Sequence, residues 1–129
     1  MYAFDYQKPS DIDAAVAAMQ GEDAMAISGG QTLIPTLKQR LAMPGTLVDL
    51  TGIAAMKGIS REGDHLVIGA ATTHRAVAES SEAQSAIPGL ASLASRIGDP
   101  QVRNRGTIGG SIANNDPAAC YPSAALALG

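Results

Sequence analysis

Ala24-Met25-Ala26-Ile27-Ser28-Gly29-Gly30-Gln31-Thr32-Leu33-Ile34-Pro35-Thr36-Leu37-Lys38 carries the chain from one kind of structure into another. Ala24 to Ile27 is a short apolar run that ends abruptly at Ser28-Gly29-Gly30, as a buried strand does when it delivers the chain into a tight turn. Leu33, Ile34, Leu37 and Leu41 then share a helical face. Pro35 is tolerable there because the amides of a first helical turn have no helical acceptor. Met43-Pro44-Gly45 breaks this helix and Thr46 to Leu50 reads as another strand. Residues 24–50 therefore form a strand–helix–strand unit, whose strands usually run parallel. The expected class is α/β (α+β).

Upstream, Ile12, Ala15, Val16 and Met19 fall at helical spacing, with Ser10 as the expected N-cap and Gly21 as the stop. Downstream, Lys57 to Ser60 and His65 to Ile68 flank the turn-like Arg61-Glu62-Gly63-Asp64, which predicts a β-hairpin. Thr72 or Thr73 caps a short helix to about Glu79. Ser81 to Ile97 reads as helical in two pieces interrupted at Pro88-Gly89, with Ile87, Leu90, Ala94 and Ile97 as its buried stripe. From Gln101 to Asn115 clear periodicity disappears and a structured loop is expected. Pro122 to Leu128 can start one more helix, and the abrupt stop at Gly129 suggests a truncated domain.

Composition narrows the function classes. A chain of 129 residues, 46% hydrophobic and 16% charged, has the makings of one domain or two small lobes. Aromatic content of 3% with no Trp disfavours stacking platforms for nucleic acid, and the net charge of −3 points the same way. The densest basic stretches, Lys38 to Arg40 and Arg103 to Arg105, are too short to track a phosphate backbone. No apolar run approaches the roughly 20 residues that span a bilayer, so no membrane insertion is expected. Nothing near Met1 resembles a secretory signal, and a cytoplasmic location is expected. The single cysteine, Cys120, cannot hold an iron–sulfur cluster, which takes about four thiolates. It reads as a small buried filler.

Two glycine-rich stretches remain. In Ile27-Ser28-Gly29-Gly30-Gln31-Thr32-Leu33, glycines lacking Cβ let main-chain amides approach an anion, and the following helix would add its positive end. A diphosphate would fit; a plain turn is the bland alternative. Neither a Walker nor a Rossmann fingerprint is present. The second stretch, Gln101 to Pro117, is dense in small residues, hydroxyls and amides and could wrap a polar ligand, the alternative being a long surface loop. His65 and His74 stand isolated and read as surface or cap residues. No metal-ligand spacing and no nucleophile with a partner is found.

Together the two stretches are more specific. Ser-Gly-Gly-Gln-Thr-Leu-Ile-Pro-Thr-Leu-Lys from Ser28, and Gln-Val-Arg-Asn-Arg-Gly-Thr-Ile-Gly-Gly-Ser-Ile-Ala-Asn-Asn-Asp-Pro-Ala-Ala from Gln101, resemble the two FAD loops of the medium, flavin-carrying subunit of molybdenum hydroxylases, the xanthine dehydrogenase and aerobic carbon monoxide dehydrogenase family. The opening Phe4-Asp5-Tyr6, followed by Pro9 and the helix after Asp11, is similar to that subunit's usual start.

The resemblance implies a two-lobed FAD-binding domain of the vanillyl-alcohol oxidase and molybdopterin dehydrogenase type. Residues 1–55 would be the first lobe and 56–129 a second, incomplete one, with the family's C-terminal domain absent. By motif match Ser28, Gly29, Gly30, Gln31 and Thr32 would hold the diphosphate, with Ile27 and Leu33 beside them. Gly106, Thr107, Gly109, Gly110, Ser111 and Asn114 would line the cofactor's second side, and Val102 would pack near the flavin.

The implied activity is electron transfer by FAD within an oxidoreductase complex, with molybdopterin and iron–sulfur clusters on a large molybdenum-binding subunit and a small iron–sulfur subunit. No catalytic residue and no metal ligand is expected on this chain. Cys120 departs from the acidic residue that relatives often carry after Pro-Ala-Ala. The alternatives are a truncated, non-catalytic or subunit-binding fragment, or a stand-alone FAD oxidoreductase.

Overall fold

In a computed structural model that describes residues 1–128, the first part of the chain forms a three-stranded parallel sheet. Strand β1 (Asp5–Gln7), helix α1 (Ile12–Ala18), β2 (Ala24–Ile27), α2 (Leu33–Lys38) and β3 (Thr46–Asp49) follow one another, and the sheet order is β1-β3-β2. Thr46 pairs with both Asp5 and Ala24, so β3 is central. Its neighbouring residues Leu47 and Val48 point to opposite faces, and both are buried. The two crossovers run in opposite directions across the sheet, and right-handed connections then put α1 and α2 on opposite faces.

The N-cap of α1 is Asp11 and not Ser10: extended at φ −141°, it accepts a 2.8 Å hydrogen bond from the Ala14 amide. Ser10 reaches only the Asp11 carboxylate. Helix α2 ends at Lys38, because Arg40 turns left-handed at φ 59°, and Leu41 consequently leaves the expected apolar face for solvent.

The second part begins with the expected hairpin, but its strands run closer to the turn. Strands β4 (Ile59–Glu62) and β5 (His65–Ile68) pair antiparallel up to Glu62 and His65, leaving only Gly63-Asp64 as the connection. Gly63 supplies the left-handed φ of 60° that such a two-residue turn requires. Of the two candidate caps, Thr73 caps α3 (His74–Glu79), accepting from the Ala76 amide. Thr72 is buried, and its hydroxyl accepts from the Gly58 amide and donates to the Gly58 carbonyl, tying the start of the hairpin to the helix.

Helices α4 (Ser81–Ala86) and α5 (Pro88–Ser95) are the two expected pieces, with Pro88 opening the second from a position where its missing amide costs nothing. Val77, Ala83, Leu90, Ala91, Ala94 and Tyr121 form the core here, with Ile87 and Ile97 packed against it.

The segment expected as a loop is two short helices, α6 (Pro100–Arg105) and α7 (Ile108–Asn114), joined by Gly106-Thr107. Helices this short show little periodicity; capping makes them. Asp99 accepts from the Val102 amide at 2.8 Å, Pro100 begins α6, Thr107 accepts from the Gly110 amide, and Asn115 closes α7 in the left-handed region at φ 48°. The last helix, α8 (Cys120–Leu128), starts two residues before Pro122. Cys120 is exposed, against the expectation of a buried filler, because Tyr121 takes the interior position.

Candidate functional site

Strand β2 delivers Ser28-Gly29-Gly30 at the carboxyl edge of the parallel sheet, where open α/β sheets leave a crevice for ligands. Gly30 is left-handed at φ 71°, and a Cβ there would lie 2.7 Å from Ile34 Cδ1. Gly29 has a different reason to be glycine: a Cβ would lie 2.2 Å from the Arg105 carbonyl oxygen and 2.7 Å from Gly106 Cα. The two glycine stretches, remote in sequence, press backbone on backbone. Beside this contact the Thr107 hydroxyl donates to Ser28 Oγ at 3.0 Å.

The second stretch is fastened to the connection between β5 and α3. His74 N–H donates to Gly106 O at 3.0 Å, Ile108 N–H to Thr72 O at 3.0 Å and Gly109 N–H to Ala70 O at 2.9 Å. Gly109 lies so close that a Cβ would be 2.6 Å from that of Ala70. The amides of Gly106 and Ser111 also bond within the segment. By contrast, the amides of Gly30, Gln31 and Thr32 donate to no group among the described residues. The two loops thus have different chemistries. The first offers unspent N–H donors, and the second is a rigid wall carrying hydroxyl and amide side chains. Helix α2 has only six residues, so local amides rather than a long helix dipole make the first loop attractive to an anion.

Between the loops lies a cavity of about 690 Å³, within the usual range for small-molecule sites. Every residue singled out from the sequence borders it: Ile27 through Leu33 on one side, and Val102, Gly106, Thr107, Gly109, Gly110, Ser111 and Asn114 on the other. Sequence reasoning missed Leu50, Met56, Ala70, Ala71, His74 and Ile97, which also line it. The small Ala70-Ala71 pair between a strand and a capped helix was the available signal. Ile97 and Val102 form an apolar wall suited to a ring system, and the free amides of Gly30 to Thr32 suit a diphosphate. These residues fit a dinucleotide such as FAD.

Charge plays a small part. Arg103 is held by its own turn, donating to Ile97 O and Gly98 O, and is not among the residues lining the cavity. No group of three or more potential metal ligands occurs among the described residues. His74 overturns its expected surface or cap role. It is 5% exposed, its ring meets that of Tyr121 at a centroid distance of 5.2 Å, and Nδ1 is enclosed without a partner. Burial pushes its pKa down, favouring the neutral imidazole. Tyr121, whose hydroxyl is likewise enclosed and unpartnered, has its pKa raised by burial first and by Cys120 second.

Comparison with known proteins gives the arrangement its relatives. Residues 2–129 match a family described as the FAD binding domain in molybdopterin dehydrogenase. The chain is 42% identical over 127 residues to the carbon monoxide dehydrogenase medium chain of Hydrogenophaga pseudoflava, covering 97% of this chain and 44% of that protein. It is 36% identical to the nicotine 6-hydroxylase medium subunit of Paenarthrobacter nicotinovorans, covering 98% and 45%. In structure it matches the carbon monoxide dehydrogenase of Hydrogenophaga pseudoflava with a TM-score of 0.91 and 43% identity, over 94% of this chain and 43% of that one. The chain thus spans less than half the length of the relatives it matches.

Proposed function

The chain belongs to the family of FAD binding domains in molybdopterin dehydrogenases, and from that premise we propose that it is the FAD-holding part of an electron-transfer subunit in a molybdenum-containing dehydrogenase complex. The subunit would work as an FAD-dependent oxidoreductase only within that complex. Its partners would be a large molybdenum-binding subunit and a small iron–sulfur subunit, whose clusters supply electrons that pass to an acceptor. The names of the relatives, a medium chain and a medium subunit, support an assembly of several chains. The lone cysteine supports placing iron–sulfur clusters elsewhere.

Bound FAD would supply the redox chemistry. The residues of this chain would bind and orient it. The unspent amides of Gly30, Gln31 and Thr32, with Ser28 and Gly29, would hold the diphosphate between Ile27 and Leu33. Thr107, Ser111 and Asn114 would offer polar groups from the facing wall, with Gly106, Gly109 and Gly110 allowing close approach. Val102 would pack near the flavin. The same reading divides the chain near residue 55 into a first and a second lobe. It also includes a cytoplasmic location, in keeping with the absence of any helix long and apolar enough to cross a membrane among the described residues.

The observation that carries this reading is the meeting of Gly29 with Gly106 beside a cavity bordered by both loops. The test is to titrate FAD into the purified chain while following flavin fluorescence and melting temperature. A ligand of the folded state raises the melting temperature. A rise that saturates with FAD is expected. Absence of both binding and a shift, in this chain and in one extended past Gly129, overturns the proposal.

A further inference from the structure

A column of contacts runs from α8 into the first glycine loop: the Tyr121 ring lies against the His74 ring, the His74 ring against Gly106, and Gly106 against Gly29. The ring centroids of Tyr121 and His74 are 5.2 Å apart with planes inclined by 36°. A Cβ on Gly106 would lie 2.5 Å from His74 Nε2 and 2.8 Å from Cδ2, so the imidazole edge fills the space that a side chain at 106 would need. A Cβ on Gly29 would in turn lie 2.7 Å from Gly106 Cα. The backbone amide of His74 adds its hydrogen bond to Gly106 O. Tyr121 is 1% exposed and part of the core, so the column has a fixed base.

We propose that His74 is a positioning residue for the cofactor cleft: its ring, backed by Tyr121, sets the height of the Gly106-Thr107 turn and thereby the spacing between the two glycine loops. The inference rests on the reading of the cleft as an FAD site, and none of the motif-matched residues includes His74.

Three observations favour this over simple core filling. His74 borders the cavity itself, together with residues of both loops. Its Nδ1 is enclosed without any partner, so packing against Tyr121 and Gly106, and not a hydrogen bond from that nitrogen, holds the ring in place. No counter-charge is arranged around it. Arg75 and Glu79 of its own helix are paired at 2.8 Å, with Arg75 also bonded to Asn104. Glu82 opens α4, and Arg96 follows α5. On α6, Arg103 is tied to Ile97 O and Gly98 O, with Arg105 and the capping Asp99 at its ends, while α8 offers the Tyr121 phenol and the Cys120 thiol. None bonds the imidazole, and burial holds its pKa below the ordinary value. Because interiors are close-packed, a ring wedged between Tyr121 and Gly106 transmits its size directly to the turn.

The test uses the 129-residue chain with His74→Ala, which removes the ring, His74→Leu, which keeps bulk without a plane, and His74→Phe, which keeps a flat ring without nitrogen. Two quantities are read on folded protein: the FAD dissociation constant from fluorescence, and hydrogen exchange at the Gly106 amide, bonded to Val102 O at 2.7 Å. Loosening a preorganised site costs affinity, so His74→Ala or His74→Leu should weaken FAD binding by about tenfold or more. Exchange at Gly106 should speed up while amides of α4 keep their protection, and His74→Phe should restore most of both. Wild-type affinity in folded His74→Ala or His74→Leu overturns the proposal, as does His74→Phe behaving like His74→Ala, which would make the nitrogen itself the binding group. If the wild-type chain binds no FAD, the reading of the cleft fails first. The exchange arm then judges the column alone: unchanged Gly106 exchange in His74→Ala and His74→Leu overturns it.

Discussion

The Thr107 hydroxyl donates to Ser28 Oγ at 3.0 Å across 79 positions of sequence, and Thr107 Oγ1 also accepts the Gly110 amide at 3.2 Å. One buried side chain therefore caps a helix and ties the two loops together.

Removing the two ends of that bond should have unequal effects. Thr107→Val loses the cap and leaves Ser28 without its donor, for an expected cost of about 1–2 kcal/mol. Ser28→Ala leaves the cap intact, and its cost should stay near about 1 kcal/mol. Urea denaturation of both variants gives the comparison, and equal losses would contradict the double role of Thr107.

Gly29→Ala places a Cβ 2.2 Å from the Arg105 carbonyl oxygen, an overlap that only backbone movement relieves. The loops should part, with FAD binding lost and stability reduced by about 1–3 kcal/mol. Gly89→Ala is the contrast: its Cβ would meet nothing within 4 Å in helix α5, and it should leave FAD binding intact while stabilising by up to about 1 kcal/mol. Calorimetry and FAD titration of the pair test both statements.

The depressed pKa of His74 makes stability depend on pH. The folded state holds fewer protons on this group than the unfolded chain, so its neutral form carries no penalty above about pH 6.5. Stability should fall as the pH drops below that point toward the lower folded value. His74→Phe should flatten this part of the profile. Urea melts between about pH 5 and 8 decide, and an unchanged slope would remove His74 as the source.

Asp49 acts in the opposite pH range. It closes β3, accepts from Tyr6 and from the Thr51 amide at 2.8 Å, and lies 3.5 Å from the Lys8 ammonium. Burial pushes its pKa up, but these partners together outweigh burial and lower it overall. Its stabilisation is present above the ordinary aspartate value near 3.8 and is lost as the pH falls through the lowered one. Tyr6→Phe should destabilise the first sheet by about 1 kcal/mol at neutral pH and move acid unfolding upward, as circular dichroism during acid titration would record.

What the residues announce locally was legible from the sequence. The apolar run ending at Ser28, the breaks at Pro44-Gly45 and Gly63-Asp64, and the strand-forming residues of 65–68 fix strands and turns through short-range sterics, and the family follows from two motifs read in order. Local chemistry also misled where neighbouring candidates competed: Asp11 took the cap from Ser10, and the helical content of 100–114 rests on the caps Asp99 and Thr107 rather than on an apolar stripe.

Only the tertiary structure decided which face of the chain meets which. Nothing in the sequence says that Gly29 is a glycine because Gly106 lies against it, that Cys120 faces solvent while Tyr121 is buried, or that His74 supports the second loop. Those are contacts between residues remote in sequence, set by how the helices and the two sheets pack. A pattern of residue types records local conformational preference, and it does not record the distance between surfaces that folding brings together.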